Sequence, residues 1–135
     1  MDKKEILEFI TANPISFMAT VDGTAARVRG MDTFRADEKG LIFYTGKNKD
    51  VFKQLAKNPE IEACYYAKGT QVRVRGKVEI VEDEALKKEI VSKRPFLQPV
   101  YEKTSLDNMG VMRLKGKATT WTMQDVYNQP TWTDL

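Results

Sequence analysis

Basic side chains cluster near the ends of predicted strands in three parts of the chain. The sequence Arg27-Val28-Arg29 places two arginines on one face of a strand, because strand side chains alternate between faces. The turn from Gly46 to Lys49 leads from a strand into a helix, where free backbone N–H groups and the helix dipole favour an anion. Arginine can hold a phosphate through two parallel hydrogen bonds. Each feature alone is more typical of a solvated surface, but together they predict a site for a phosphorylated ligand.

The third basic feature is the segment 70–81, TQVRVRGKVEIV, in which apolar and polar residues alternate with a period of two. This period is typical of a strand with one buried and one solvated face. Arg73, Arg75 and Lys77 share the solvated face, while Gly76 predicts a bend, or a close approach by another backbone or a ligand. A nucleic-acid-binding barrel that uses these three cations is an alternative, although such faces need aromatic platforms and this strand has none.

Composition and charge limit the classes of function. The chain has 135 residues, of which 41% are hydrophobic and 30% charged, so we expect one domain spanning residues 1–135. The formal net charge is only +3, so any preference for anions must be local. No apolar run approaches the roughly 20 residues of a membrane span. The one cysteine, Cys64, cannot form an internal disulfide, and we expect a cytoplasmic protein with no membrane partner.

The chain contains no histidine. This absence excludes Ser-His and Cys-His catalysis as well as the usual zinc sites, so no metal site is predicted. Any redox chemistry would need a cofactor that supplies it. No side chain stands out as a general acid or base, and the sequence therefore assigns no catalytic residue.

Turn and cap signals divide the chain into short strands and a few helices. Asp2 and Glu5 have the spacing of a capping box, and Asp22-Gly23 and Lys68-Gly69 are predicted turns. The pattern predicts a mainly β (α+β) fold, a six-stranded antiparallel barrel with a few flanking helices, because closure removes exposed sheet edges. The predicted strands cover 15–21, 24–34, 41–45, 61–67, 70–81 and 111–122. One predicted helix follows Asp2, and two more cover 48–58 and 83–93. The stretch 95–99 is predicted to be irregular, and 123–135 is predicted to be a loose tail.

Several short motifs follow one another in an order that carries a family resemblance. They are RVRGMDTF (27–34), GLIFYT (40–45), Lys49, LAKNP (55–59), QVRVRG (71–76), KGKA (115–118) and WTM (121–123). In this order they closely resemble the pyridoxamine 5′-phosphate oxidase-like, FMN-binding split-barrel family over nearly the whole chain. The resemblance implies a six-stranded split β-barrel that forms a homodimer and binds FMN in two clefts between the subunits.

The resemblance also implies positions for the FMN contacts. Arg27 or Arg29 would reach the phosphate, and backbone groups near Val28 and Met31 would meet the polar edge of the ring. Asn48 and Lys49 would bind the phosphate, Tyr44 and Thr45 would line the phosphoribityl region, and Gln71 and Arg73 would approach from the facing subunit or the barrel wall. The implied cofactor-binding set is Arg27, Val28, Arg29, Met31, Asp32, Tyr44, Thr45, Asn48, Lys49, Gln71 and Arg73.

Two departures from the family pattern argue against vitamin B6 oxidation. Members with that activity carry a C-terminal arginine and histidine that hold the substrate phosphate, whereas this chain ends NQPTWTDL. Where the family has a lysine at the end of its first FMN motif, this chain has Asp32. We therefore expect an FMN-dependent oxidoreductase that passes electrons or hydride between a reduced nicotinamide and a small acceptor. The alternative is a non-catalytic flavin-binding or sensing protein; a haem protein is disfavoured, because haem normally needs a histidine or another strong axial ligand.

Overall fold

The computed structural model describes all residues from Met1 to Leu135 as eight strands and four helices. The strands are β1 (Ile15–Asp22), β2 (Ala25–Asp37), β3 (Gly40–Gly46), β4 (Glu60–Ala67), β5 (Thr70–Val81), β6 (Met109–Leu114), β7 (Lys117–Trp121) and β8 (Thr133–Asp134). The helices are α1 (Lys3–Ala12), α2 (Asp50–Lys57), α3 (Glu84–Lys93) and α4 (Gln98–Lys103). None of these helices has the length and apolar character needed to cross a membrane.

Six of the strands close into an antiparallel barrel. Going round the barrel, the order is β1, β2, β3, β6, β5 and β4, and the pairing of β4 with β1 completes the ring. β7 pairs with β5, and β8 pairs with β7, so these two strands extend the sheet outside the ring. The predicted mainly β, six-stranded antiparallel barrel is thereby confirmed.

The predicted single strand over 111–122 is wrong, because the chain forms two strands there. β5 pairs with β6 through Val78–Val81 and with β7 through Gln71–Arg75. The break lies at Gly116, where a Cβ atom would sit 2.1 Å from the carbonyl oxygen of Arg75. A Cβ atom on Gly76 would sit 3.2 Å from the Cα of Gly116, so the close approach predicted for Gly76 is confirmed.

The barrel interior is filled by the apolar residues of alternating strand positions. Val72 and Val74 are fully buried, as are Phe43 and Tyr65. Each such side chain contributes roughly 1.5–3 kcal/mol through burial. One end of this core is covered by α1, whose predicted capping box forms between Asp2 and Glu5. A second, smaller cluster packs α3 against the outside of β3 and β6; its buried members are Ile42, Leu86, Ile90, Met109 and Val111.

Two segments are more ordered than the sequence indicates. The stretch after Pro95 forms a 3₁₀ turn (Pro95–Leu97) followed by α4, where an irregular connection was predicted. The C-terminal segment is not a loose tail, because β8 pairs with β7 and the Leu135 N–H donates to the Gly116 carbonyl at 2.9 Å. The C-terminal difference arises from pairing with a strand that is distant in sequence, which local sequence patterns do not register.

Two candidate clefts flanking an exposed sheet face

A cationic cleft of about 720 Å³ lies between the start of β2 and α2. We call it the helix cleft. Arg27, Lys53 and Lys57 bring positive charge to it, and Asp22 and Asp50 supply two carboxylates. Val28 and Arg29 also line it, so the structure places the whole predicted Arg27–Arg29 segment beside α2.

The two arginines of this segment have different roles within the protein. Arg29 donates to the Thr20 hydroxyl at 2.7 Å, to the Met18 carbonyl at 3.2 Å and to Gln54 Oε1 at 2.7 Å. Burial lowers the pKa of Arg29, and Asp50 acts in the opposite direction. Arg27 is exposed and has a single 3.5 Å ion pair with Asp22. Arg29 therefore ties α2 to the barrel, and Arg27 is the arginine that is free to meet a ligand.

The turn before α2 contains one engaged and one unengaged lysine. The Lys47 ammonium pairs with Glu82 at 2.7 Å, and this contact contributes most to the lowered pKa of Glu82. Lys49 is the N-cap of α2, is exposed, and makes no side-chain capping bond. The N–H groups of residues 50–52 have no acceptor in the chain, since the first bond into the helix runs from Lys53 to Lys49. This end of α2 is thus open to an anion.

Gly46 allows this turn to form. A Cβ atom at this position would lie 2.6 Å from Asn48 Oδ1, so a larger residue would displace the Asn48 side chain. Asn48 is exposed and makes no hydrogen bond through its amide. Asn48 and Lys49 directly precede Asp50, which lines the helix cleft. Neither Asn48 nor Lys49 lines that cleft, so the structure groups Arg27, Val28 and Arg29 with Asp50 but does not bring the two turn residues into the same cleft.

Asp32 and Tyr44 meet away from the helix cleft, around an arginine that sequence analysis missed. Oδ2 of Asp32 accepts from Arg94 Nε at 2.8 Å and from the Tyr44 hydroxyl. Burial, and then the contact with Asp32, raise the pKa of Tyr44, so its hydroxyl stays protonated and donates. The hydrogen bond to Asp32 raises the pKa of Arg94. No local signal connects Arg94, which follows α3, with a residue of β2.

The remaining β2 and β3 positions differ in what they expose. The Met31 side chain is buried in the barrel core, so only its backbone can contact a ligand. Thr45 is half-buried near the end of β3. Val28 is 68% exposed on the outer side of β2. Since side chains alternate, Val28, Gly30 and Asp32 form one outward row that is about 13 Å long at ~3.3 Å per residue.

A second cleft, of about 510 Å³, lies between β5, β7 and the C-terminal segment. We call it the tail cleft. Gln71 and Arg73 line it, together with Thr119 and Tyr127. Arg73 pairs with Glu62 at 3.0 Å, yet its Nε atom is buried without a hydrogen-bond partner, as is the Thr119 hydroxyl. Buried polar atoms without partners are unusual, and Arg113 Nε, which does not belong to this cleft, is a third such atom in the chain.

The C-terminal segment covers the cations of β5. The Trp132 ring lies 3.8 Å from the Arg75 guanidinium and 5.3 Å from that of Arg73. Lys77 faces Glu60 at 3.9 Å. Each cation of this strand thus has a partner within the chain, which weakens the case for an open nucleic-acid-binding face. The Trp132 contact was not predicted, because a tail residue gives no local sign of where it packs.

The two clefts are separated on the outer surface of the sheet. β1 and β4 lie between β2 and β5, so at ~4.8 Å per strand spacing the clefts are about 14 Å apart. Register places Phe17 beside Gly30 and Cys64, and Cys64 beside Arg73. The face between the clefts exposes large apolar side chains, namely Ile15 (58%), Phe17 (62%), Val28 (68%) and Tyr66 (62%). We call this surface the outer face.

A closed six-stranded barrel with two flanking clefts defines the structural class. The chain belongs to the pyridoxamine 5′-phosphate oxidase family, because the model of that family matches residues 2–124. No curated protein matches the chain.

Several solved structures share the fold. A NimC/NimA family protein from Clostridium acetobutylicum is 26% identical, with a TM-score of 0.80 over 98% of this chain and 93% of that one. General Stress Protein 26 from Bacillus anthracis str. Sterne is 17% identical, with a TM-score of 0.72 over 98% of both chains. PhzG from Burkholderia lata 383, in complex with tetrahydrophenazine-1-carboxylic acid, is 14% identical, with a TM-score of 0.71 over 98% of this chain and 89% of that one.

Proposed function

We propose that the protein is a homodimeric FMN-binding flavoprotein that passes electrons or hydride between a reduced nicotinamide and a small acceptor. The observation that carries the proposal is the open start of α2, where unpaired N–H groups and Lys49 offer a phosphate site; Arg27 lines the helix cleft together with Asp50, the first residue of this helix. Membership of a family named for an oxidase supports a redox role.

The residues present fit FMN. Lys49, Asn48 and the free N–H groups of α2 would hold the phosphate, and Arg27 would add a second cation. The outward row from Val28 to Asp32 would lie along the ring; Gly30 leaves open space there, since a Cβ atom would meet nothing within 4 Å. FMN supplies the hydride chemistry when bound. The residues of the chain bind and orient it, and none supplies a histidine-like acid or base.

A homodimer would complete the site. One chain leaves Gln71 and Arg73 in the tail cleft, separated from the helix cleft by the apolar outer face. If two outer faces pack together about a twofold axis, the tail cleft of one subunit can approach the helix cleft of its partner. The unpaired Arg73 Nε and Thr119 hydroxyl would then face a ligand held by both chains. Burial of the four exposed apolar side chains would favour this association.

The phosphate site is tested with a pair of lysines from the same turn. Lys49→Ala is expected to weaken FMN binding about tenfold or more, because a charge-assisted hydrogen bond contributes roughly 1.5–3 kcal/mol. Riboflavin, which lacks the phosphate, should bind both proteins equally. Lys47→Ala is the matched control, since Lys47 already pairs with Glu82, and its FMN affinity should change little. Fluorescence quenching titrations measure these affinities. Equal losses of FMN and riboflavin affinity in Lys49→Ala would contradict the assignment of Lys49 to the phosphate site.

The dimer is tested by light scattering and by a variant of the outer face. The protein should have twice the chain mass, and Phe17→Glu should give monomers that lose FMN together with the partner. The Val100→Glu variant is the control, because Val100 is also exposed, at 52%, but lies on α4. A Phe17→Glu monomer that retains FMN at full affinity would overturn the shared-cleft arrangement.

Turnover separates an oxidoreductase from a flavin-binding or sensing protein. The FMN-loaded dimer should oxidise a reduced nicotinamide when a small acceptor is present, at a rate that is lost in Lys49→Ala as FMN dissociates. Bound FMN that is not reduced by a nicotinamide under anaerobic conditions would favour the sensing alternative.

A further inference from the structure

The strongest unexplained feature is the three-residue cluster Asp32, Tyr44 and Arg94, which joins β2, β3 and the end of α3. Both donors converge on one oxygen, Oδ2 of Asp32. The side chains of Arg94 and Asp32 are 25% and 18% exposed, so the pair is sheltered but reachable from solvent. The Arg94 guanidinium also lies 5.3 Å from the ring of Phe34, which fixes its position.

The charges of this cluster cancel within the chain. Arg94 would be the cation closest to the ring end of the outward row, but its Nε–H is already donated to Asp32. Its Nη1 donates to the Lys93 carbonyl at 3.4 Å and its Nη2 has no partner, so an anionic ligand group would reach the guanidinium only beside the Asp32 carboxylate, whose negative charge would repel it. Oδ1 of Asp32 makes no hydrogen bond within the chain. The cluster therefore offers a ligand an acceptor oxygen, and the positive charge of Arg94 is already compensated by Asp32.

We propose that Asp32 is a specificity-determining residue that compensates the charge of Arg94 within the chain, so that this site takes uncharged ligands bearing an N–H donor and rejects carboxylates and phosphates. The proposal rests on the proposed function in one respect: it takes the flavin to lie along the row that ends at Asp32. Tyr44 positions the carboxylate by donating to the same oxygen that Arg94 uses.

Two ligands of equal shape test the proposal, 4-nitrobenzamide and 4-nitrobenzoate. The wild-type protein should bind the amide at least about tenfold more tightly, which is the least that one charge-assisted hydrogen bond contributes. Asp32→Asn keeps the shape of the side chain and leaves the Arg94 charge uncompensated. This variant should shift the amide-to-carboxylate affinity ratio by about tenfold or more towards the carboxylate.

Two further variants separate specificity from stability. The double variant Asp32→Asn/Arg94→Gln should lose the gained carboxylate binding, because the freed cation is gone. Glu89→Gln is the matched control. Glu89 lies on α3, the helix that Arg94 follows, and pairs with Arg35 of β2 at 2.5 Å, so this variant releases Arg35 and should leave the amide-to-carboxylate ratio unchanged. Thermal unfolding of each variant verifies that the fold is retained.

Calorimetric titration is carried out on both FMN-loaded and flavin-free protein, and bound FMN is measured by absorbance beforehand. If the protein binds no FMN but the flavin-free protein shows the expected ratio shift, the proposed function and the placement of the flavin along the row are refuted, and the selection of ligand charge by Asp32 is retained. Normal FMN binding with no ratio shift in Asp32→Asn would make the cluster a structural tie and overturn the inference. It is likewise overturned if no variant binds either ligand, or if Glu89→Gln produces the same shift.

Discussion

The helix cleft and the tail cleft are built in different ways. The helix cleft is formed by elements close in sequence, β1, β2 and α2, and Arg29 ties them together through three hydrogen bonds. The tail cleft needs β5, β7 and a C-terminal segment that returns to cover the Arg75 guanidinium. One cleft is formed by the barrel and an adjoining helix, whereas the other depends on a few residues at the end of the chain.

This difference bears on function as well as on construction. The helix cleft offers unpaired backbone donors and free cations, the features that bind a phosphate. The tail cleft contains two buried polar atoms without partners, Arg73 Nε and the Thr119 hydroxyl. We expect changes at the first to act on cofactor affinity, and changes at the second to act mainly on packing and on the partner subunit.

The largest effect on stability is expected at Gly116, the residue directly before β7. Gly116→Ala should lower the free energy of unfolding by about 3 kcal/mol, because its Cβ atom would overlap the Arg75 carbonyl oxygen and neither backbone can move freely. Gly30→Ala is the control in β2, where a Cβ atom meets nothing within 4 Å, and should change stability by less than about 0.5 kcal/mol. Urea unfolding measures both; equal stabilities would contradict the close approach between Gly116 and the Arg75 carbonyl.

The second effect separates the two arginines of the helix cleft. Arg29→Ala should cost about 2 kcal/mol of stability, because the Met18 carbonyl, Thr20 and Gln54 lose a donor, and only the direct 2.6 Å hydrogen bond from the Thr20 hydroxyl to Gln54 Oε1 still links β1 to α2. Arg27→Ala should cost less than about 0.5 kcal/mol, since exposed ion pairs contribute little. In binding titrations the order of the two variants should be the opposite. The ratio of FMN affinity to riboflavin affinity should fall more in Arg27→Ala than in Arg29→Ala. A stability loss at Arg27 equal to that at Arg29 would remove the distinction.

The contrast between local construction and long-range contacts also explains which parts of the fold and of the candidate site the sequence could predict. Period-two alternation and turn residues located the strands of the barrel, because both signals are local, and the α2 turn was recognisable from Gly46 and Lys49. The division at Gly116 was missed, since alternation continues across it while the partner of β5 changes. Arg94 and Trp132 were missed for a related reason: their contacts with Asp32 and Arg75 join distant parts of the chain and leave no periodic trace.

A third and smaller effect on stability concerns Trp132, the residue of the C-terminal segment that packs on the Arg75 guanidinium. Trp132→Ala should lower stability by about 1 kcal/mol or less, the usual contribution of an exposed cation–π contact, and Arg75→Ala should behave similarly. The double variant should be less destabilised than the sum, giving a coupling of about 0.5 kcal/mol in a double-mutant cycle. The preference for FMN over riboflavin should be unchanged in Trp132→Ala. Additive losses would mean that Trp132 and Arg75 do not interact in solution.

The smallest effect is a pH dependence at the turn beside the helix cleft. Glu82 pairs with Lys47 at 2.7 Å and with Lys87 at 2.8 Å, and these contacts lower its pKa from the usual 4.5. A carboxyl group whose pKa is lower in the folded state stabilises the protein above its unfolded pKa, and this contribution is lost as the pH falls through the folded value. Since Glu82 is half exposed, Glu82→Gln should cost less than about 1 kcal/mol at pH 7.

That cost should disappear in acid. The gap in unfolding free energy between wild type and Glu82→Gln should close as the pH is lowered from 5 towards 3, because the protonated Glu82 no longer differs in charge from glutamine. Glu102→Gln is the control, since Glu102 is exposed and has no ion pair, and should show no gap at any pH. Urea unfolding at several pH values measures the three proteins together. A gap that persists at pH 3 would show that Glu82 acts through shape or neutral hydrogen bonds, and Lys47 would then no longer serve as the charge-engaged control for Lys49.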